Sequence, residues 1–175
     1  MGTRNLTLVI NKVGETKVAQ YGQWDGYPSG QGATILNFLR KKGYKEKLLK
    51  ALNKVRFLDI WGKDRDLYLT PYSDLSDVKK KWFDSFISRD VGGGILENIA
   101  NAKETEILLR NDSDLMFNSD IEYSYIVDFY RNELVCNYHY NKIHTLETFN
   151  LDNLPSEDDF VKILEEKRDE IVKQY

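Results

Sequence analysis

The sequence predicts an α+β domain with a mainly antiparallel sheet, and three observations lead to this fold class. Runs rich in β-branched and aromatic residues lie near both ends of the chain, apolar residues recur at helical spacing between and after them, and strand and helix do not alternate regularly. We expect N-terminal and C-terminal hairpins packed with about five helices. The 175 residues form one predicted domain, residues 1–175.

Each predicted strand rests on an apolar or alternating run beside turn residues. The first hairpin turns at Val13-Gly14-Glu15, and the second turns at Tyr130-Arg131-Asn132-Glu133. A last run after the second hairpin adds one more strand. The predicted strands are residues 6–10, 16–21, 122–129, 134–140 and 143–149.

Five helices are predicted from apolar residues three or four positions apart. Ser76 and Pro155-Ser156 precede two of them as capping signals, and Gly43 stands where a helix commonly ends. Residues 57–72 are expected to form short strand or loop pieces, and residues 111–120 a polar surface loop. The apolar stripes contain Ile35, Leu36, Phe38 and Leu39; Leu48, Leu49, Leu52 and Val55; Val78, Trp82, Phe83 and Phe86; Ile95, Leu96, Ile99 and Ala100; and Phe160, Ile163, Leu164 and Ile171.

Composition narrows the classes of function. No segment approaches the roughly 20 apolar residues of a membrane-spanning helix, and a net charge of −3 argues against a dedicated nucleic-acid binder. Cys136 is the only cysteine, which excludes an internal disulfide and, with no signal-peptide core at the start, favours the cytoplasm. The two histidines stand at no familiar metal spacing, so neither a metal nor a cofactor is expected. A homo-oligomer is left open.

Charge is spread unevenly along the chain. The segment from Arg40 to Arg56 contains eight basic residues and one acidic residue, Glu46, whereas acidic residues are in the majority from Asp152 to Glu170. Such runs usually form solvated helix faces, and the alternative is that the basic stretch concentrates an anionic ligand.

The most unusual segment of the chain joins the first hairpin to the first helix and is predicted to build a ligand-binding surface. Its four glycines allow tight turns, its aromatic residues offer faces for stacking, and its polar residues offer donors and acceptors. The alternative is a tight connection in which Trp24 fills the core. The candidate ligand-binding residues in residues 20–32 are Gln20, Tyr21, Gln23, Trp24, Asp25, Tyr27, Ser29 and Gln31.

Two further places are candidates for binding negative charge. Arg4 and Asn5 begin the first strand, so a hairpin brings them beside the end of the second strand. Arg89 precedes three glycines at a helix start, and helix starts, including the one near residues 29–32, favour phosphate. Close packing of the glycines is the other interpretation of residues 92–94.

Four short motifs give the chain a likeness to a family. They are Gly2-Thr3-Arg4-Asn5-Leu6-Thr7, Tyr21-Gly22-Gln23-Trp24-Asp25-Gly26-Tyr27-Pro28, Arg89-Asp90-Val91-Gly92 and Tyr125-Ile126-Val127-Asp128. On these residues it resembles a group of uncharacterised proteins from bacteria and their phages. The resemblance spans most of the chain and implies a bacterial or phage origin, with no activity, ligand or catalytic residue attached.

Three functions fit these observations. The first is a binding protein for a small anionic or nucleotide-like ligand, such as a phage protein that sequesters a nucleotide-derived immune messenger in the host cytoplasm. The second is a hydrolase of a nucleotide or amide with Asp25 or Asp90 as the base. The third is a protein–protein inhibitor anchored by Trp24 and Tyr27. Binding without turnover is the favoured expectation.

Overall fold

The computed structural model describes residues 2–118 and 120–175 and confirms the predicted α+β fold. Both hairpins form, and they belong to one five-stranded sheet, while two short strands pair separately. In chain order the strands are β1 (Asn5–Ile10), β2 (Thr16–Gly22), β3 (Val55–Phe57), β4 (Ile107–Leu109), β5 (Tyr123–Asp128), β6 (Glu133–Tyr140) and β7 (Lys142–Asn150).

The described residues contain six α-helices, one more than the number expected. Ser76 and Ser156 cap two of them as predicted, since their hydroxyl oxygens accept the backbone N–H groups of Lys79 and Asp159. The helices are α1 (Ala33–Arg40), α2 (Tyr44–Leu52), α3 (Arg65–Leu69), α4 (Asp77–Phe86), α5 (Ile95–Asn101) and α6 (Glu157–Lys173).

The large sheet has the strand order β2-β1-β5-β6-β7. All its pairings are antiparallel except β1 with β5, which is parallel and joins the two hairpins. Because β1 and β5 run the same way and β2 runs back, one edge collects the beginnings of β1 and β5 and the end of β2. This edge positions the candidate site.

Side chains from both faces of the sheet are buried. On one face Val9, Tyr125 and Leu134 belong to the main core with residues of α1, α2, α5 and α6. On the other face Leu6 and Leu8 pack with Ile121 and with a 3₁₀ turn at Ser113–Phe117. Burial of apolar surface on both faces explains why β1 has almost no exposed residue.

Two predicted irregular segments are more ordered than expected. Residues 57–72 contain α3, held by Asp64, whose carboxylate accepts from Arg56 and from the backbone N–H of Asp59. Residues 111–120 include the 3₁₀ turn and the buried Asp112. The strands β3 and β4 pair in parallel over only three residues each, a length too short to give a periodic signal.

Candidate functional site

A groove runs across the edge of the sheet where β1 begins and β2 ends. It consists of two adjoining cavities, of about 300 Å³ and about 370 Å³, which share Ile87, Arg89 and Arg110. We call it the arginine groove. Its inner half is further lined by Arg4, Tyr21, Asp112, Leu115, Asn118, Asp120 and Ile121, and its outer half by Gln23, Trp24, Phe83, Ser88 and Asp90.

Three arginines reach the groove from distant parts of the chain. Arg4 precedes β1, Arg89 lies in the loop after α4, and Arg110 directly follows β4. The contact of Arg4 with Asp120 measures 3.4 Å, as does that of Arg110 with Asp112. Both exceed the roughly 2.7–2.9 Å of a strong charge-assisted hydrogen bond, so these loose pairs orient the guanidinium groups without saturating them.

Arg89 differs from the other two arginines. It is exposed, lines both halves of the groove, and makes no ion pair within residues 2–118 and 120–175. A guanidinium carries five N–H donors and is always charged, so Arg89 offers the strongest free anion-binding group in the groove.

The carboxylate of Asp112 fixes one wall of the groove. Its Oδ2 accepts the backbone N–H of Tyr21 at 3.1 Å, its Oδ1 faces Arg110, and its own N–H donates to the carbonyl of Ala19 at 3.0 Å. Asp112 is only 9% exposed. It therefore ties the end of β2 to the arginine that follows β4.

The indole of Trp24 stands at the outer end of the groove. It is 50% exposed, and its Nε1–H donates to Asp90 Oδ1 at 3.0 Å. The neighbouring Gln23 N–H donates to the Arg89 carbonyl at 2.9 Å. Trp24 therefore does not fill the core, and these bonds hold it beside Arg89 with part of its ring surface open to solvent.

The glycines of residues 20–32 serve close packing between chain segments. A Cβ added to Gly22 would stand 2.7 Å from Asn5 Nδ2 and 3.0 Å from Gly92 Cα. At Gly26 it would stand 2.9 Å from the Thr3 carbonyl oxygen. The expectation that these glycines let the backbone approach a ligand is thus replaced by a packing role, and the same role accounts for Gly92.

Three of the predicted ligand-binding residues hold the loops together. Asn5 is buried, and its Nδ2 donates to the carbonyls of Gly22 and Trp24. The Nε2 of the buried Gln20 donates to the Ser88 carbonyl at 3.2 Å. Gln31 Oε1 accepts the Gly93 N–H at 2.7 Å. These amides support the groove from beneath and do not line it.

The amides at the start of the first helix are not free to bind an anion, contrary to expectation. A π-helical turn, Pro28–Gly32, precedes α1, and Pro28 has no N–H. The N–H groups of Gly30 and Gly32 donate to the Tyr27 carbonyl, and that of Gln31 donates to the Asp25 carbonyl at 2.7 Å. The chain itself satisfies these donors.

Three other predicted residues lie outside the groove. Asp25 is exposed at a left-handed backbone position, with φ of 55°. Tyr27 packs its ring 6.1 Å from the ring of Tyr123, and Ser29 faces the acidic surface of α6. The structure therefore brings together only part of the predicted set around the groove, namely Arg4, Tyr21, Gln23, Trp24 and Arg89.

Sequence reasoning missed Arg110 and Asp112, which complete the groove. Both follow the apolar triplet of β4, and residues 111–120 were expected to be only a surface loop. The available signal was the Arg110-Asn111-Asp112 sequence directly after an apolar run, because residues at strand ends commonly face a site.

The basic stretch between Arg40 and Arg56 does not reach the groove. Lys41 pairs with Glu97 at 2.9 Å, which raises the pKa of the lysine, and Lys47 donates to Asn101 at 2.6 Å. Arg56 pairs with Asp64 and Glu106. The stretch thus supplies surface and interhelical pairs, and it does not line either half of the arginine groove.

A serine and a histidine elsewhere in the sheet have the spacing of a nucleophile and its base. Ser124 Oγ lies 2.8 Å from His139 Nε2, but Ser124 is fully buried and also accepts from Asn137 Nδ2. Burial lowers the pKa of His139 and raises that of the enclosed Cys136 thiol. No substrate reaches Ser124 in this arrangement, so the pair is part of the sheet's internal bonding.

Two classes of site find no support in the described part of the chain. No group of three or more histidine, cysteine, aspartate or glutamate side chains there is arranged to hold a metal ion. No helix among the same residues has both the length and the apolar character needed to cross a membrane.

Comparisons of the chain with family models, with curated proteins and with solved structures gave no match.

Proposed function

We propose that this protein binds a small anionic ligand that carries a flat ring, of the nucleotide type, in the arginine groove. The observation that supports this most is the convergence of Arg4, Arg89 and Arg110 on one groove that ends at a half-exposed indole. Arginine forms forked hydrogen bonds with phosphate, and tryptophan offers a broad face for stacking.

The size of the groove agrees with this class of ligand. Ligand sites typically measure roughly 300–1,000 Å³, and the two halves measure about 300 Å³ and about 370 Å³. Besides the charged groups, the partly buried Tyr21 and Leu115 line the inner half, and Trp24 and Phe83 line the outer half. A ring with an attached phosphate matches such a mixed surface better than a purely apolar or purely charged molecule does.

The groove contains separate positive and negative groups and does not carry a uniform positive charge. Three aspartates, Asp90, Asp112 and Asp120, line it beside the three arginines. Each aspartate has a partner: the Trp24 indole for Asp90 and an arginine for each of the others. Binding would therefore depend on directed contacts with Arg89 and its neighbours more than on long-range attraction.

Binding without turnover is the form of this proposal that we favour, because each carboxylate in the groove already faces a donor. Asp112 uses both oxygens, for the Tyr21 N–H and for Arg110, while Asp90 and Asp120 each engage Oδ1 with the Trp24 indole and with Arg4. A general base must instead face the reacting group. Given the resemblance to bacterial and phage proteins, sequestration of a nucleotide-derived immune messenger is the biological role we propose.

Isothermal titration with adenine and guanine nucleotides tests the proposal directly. We expect saturable binding by the unmodified protein, and recovery of the ligand chemically intact after the protein is denatured. A chemically changed ligand would replace sequestration by hydrolysis. If none of these nucleotides binds, or if Arg89→Ala binds them as tightly as the unmodified protein does, the proposed site is wrong.

A further inference from the structure

We propose that the preferred ligand has two flat groups joined through a central phosphate, as in a dinucleotide. This inference rests on the proposed function, because it assigns the ligand class of the same groove. It follows from the internal arrangement of the groove, in which two separate ring-binding halves adjoin a shared pair of arginines.

The outer half offers one platform for a ring. Trp24 is half exposed and lines this half together with the partly buried Phe83. Because the indole Nε1–H is already bound to Asp90, hydrogen bonding fixes the ring's orientation and leaves stacking as its available interaction.

The inner half offers a second platform. Tyr21 and Leu115, both partly buried, line it and pack against the enclosed Ile121, and the Tyr21 backbone is held in place by Asp112. These residues come from β2, from the 3₁₀ turn and from the segment before β5. An aromatic face with apolar neighbours thus recurs on the other side of the shared residues.

The shared part of the groove suits a bridging phosphate. Arg89 and Arg110 line both halves, and Arg89 makes no ion pair in the part of the chain that the structure describes. A phosphate held there would leave a ring on each side free to enter a half of its own. Arg4, at the inner half alone, would add a contact for a second phosphate.

The size of the groove favours a ligand with two rings over a ligand with one ring. Each half alone lies near the lower limit of roughly 300 Å³ for ligand sites, whereas the two halves together fall well within the usual range. A mononucleotide would fill one half and leave the apolar wall of the other in water. A dinucleotide buries both walls, and this added burial favours it.

Titration of a matched ligand series tests the inference. The probes are the 3′,5′-cyclic mononucleotides of adenosine and guanosine, which carry one singly charged phosphodiester, the linear dinucleotides ApA and GpG, which carry the same charge, and the cyclic dinucleotides of the same bases. Stacking of one base contributes about 1–3 kcal/mol, so we expect a dinucleotide of either form to bind at least about fivefold more tightly than its mononucleotide. The linear and cyclic probes show which linkage the groove accepts.

Two variants locate the rings. Trp24→Leu and Tyr21→Leu keep an apolar side chain but remove the aromatic face, and each should weaken dinucleotide binding about fivefold or more. Trp61→Leu is the control, because Trp61 is 86% exposed and lies outside the groove. Melting temperatures establish that each variant is folded.

The outcomes separate this inference from the proposed function. Equal affinity for mononucleotides and dinucleotides, or dinucleotide binding unaffected by Tyr21→Leu, would overturn the two-ring ligand and leave the groove as a nucleotide site. Absence of binding by every probe would overturn the proposed function and this inference with it.

Discussion

At the scale of single residues, Arg89 is the part of the groove with most freedom to bind a ligand. The other two arginines face aspartates, whereas the Arg89 side chain is exposed and its carbonyl accepts from Gln23. The backbone bond positions the residue, and removing the exposed side chain leaves this bond in place.

Replacing Arg89 by alanine should therefore lower nucleotide affinity with little change in stability. Hydrogen bonds to charged groups contribute about 1.5–3 kcal/mol, which corresponds to a loss of about 10- to 150-fold in affinity. Titration calorimetry measures the affinity, and urea denaturation measures the stability. Arg131→Ala, at an exposed position in the turn before β6, is the control and should bind as the unmodified protein does. Equal losses in both variants would contradict a specific role for Arg89.

Asp112 should matter for both stability and binding. In Asp112→Asn the neutral amide no longer forms an ion pair with Arg110. Its NH₂ group also places two hydrogen-bond donors beside the guanidinium, which has no acceptor atom for them. We expect a loss of about 1–3 kcal/mol in the free energy of unfolding, together with weaker ligand binding. The exposed Asp114, on the neighbouring 3₁₀ turn, provides the control Asp114→Asn. Unchanged stability of Asp112→Asn would show that the carboxylate does not brace the wall.

At the scale of elements, close contact between loops holds the groove in shape. Residues 20–32 and the glycines before α5 meet so closely that Gly22 and Gly92 leave no room for a Cβ. The sequence predicted an unusual loop here, but it did not distinguish glycines packed against other chain segments from glycines facing a ligand. That distinction depends on which segments meet, and this is a property of the tertiary fold.

Gly30 and Gly94 form a matched pair that tests the packing role. A Cβ on Gly30 would overlap the Asp25 carbonyl oxygen, whereas a Cβ on Gly94 would meet nothing within 4 Å. Overpacking typically costs about 1–3 kcal/mol, so Gly30→Ala should lower the free energy of unfolding by about that much. Gly94→Ala, at φ of −61°, should be neutral or stabilising by up to about 1 kcal/mol. Urea denaturation checks both, and equal stability of the two variants would contradict the packing role.

The segment that contains α3 should respond to acid. Arg56, followed by the Asp59 N–H, lowers the pKa of Asp64 from its ordinary 3.8 to about 2. A carboxylate with a lowered pKa stabilises the fold above its ordinary pKa, and this contribution disappears as the pH falls towards the folded value. Between about pH 4 and pH 2 the unmodified protein should therefore lose more stability than Asp64→Asn does. Denaturant titrations across that range measure the difference, and parallel pH curves would contradict it.

The other elements show what periodicity could and could not predict. The long apolar stripe of α6 and the two hairpins gave strong signals, and the structure confirms them. The five residues of α3 and the three residues each of β3 and β4 are too short to display a period. Contacts between elements, such as those of Arg56 with Asp64 and with Glu106, stabilise them instead.

At the scale of the whole molecule, the parallel pairing of β1 with β5 creates the candidate site. It places the start of β1, the end of β2 and the segment before β5 at one edge of the sheet, where the loops after α4 and β4 also arrive. Arg4 and Arg89 were predicted as anion-binding residues separately, and no sequence spacing indicated that they share a groove with Arg110. Long-range topology supplies that link.

The chain's three tryptophans allow a direct measurement of ligand binding at this groove. Nuclear magnetic resonance resolves one indole N–H signal from each. Trp24 stands in the groove, Trp61 is exposed elsewhere, and the Trp82 indole donates to the Leu108 carbonyl. On titration with a dinucleotide, the Trp24 signal should shift in a saturable way while the signals of Trp61 and Trp82 remain in place. Saturable binding that leaves the Trp24 signal unmoved would contradict the arginine groove as the ligand site.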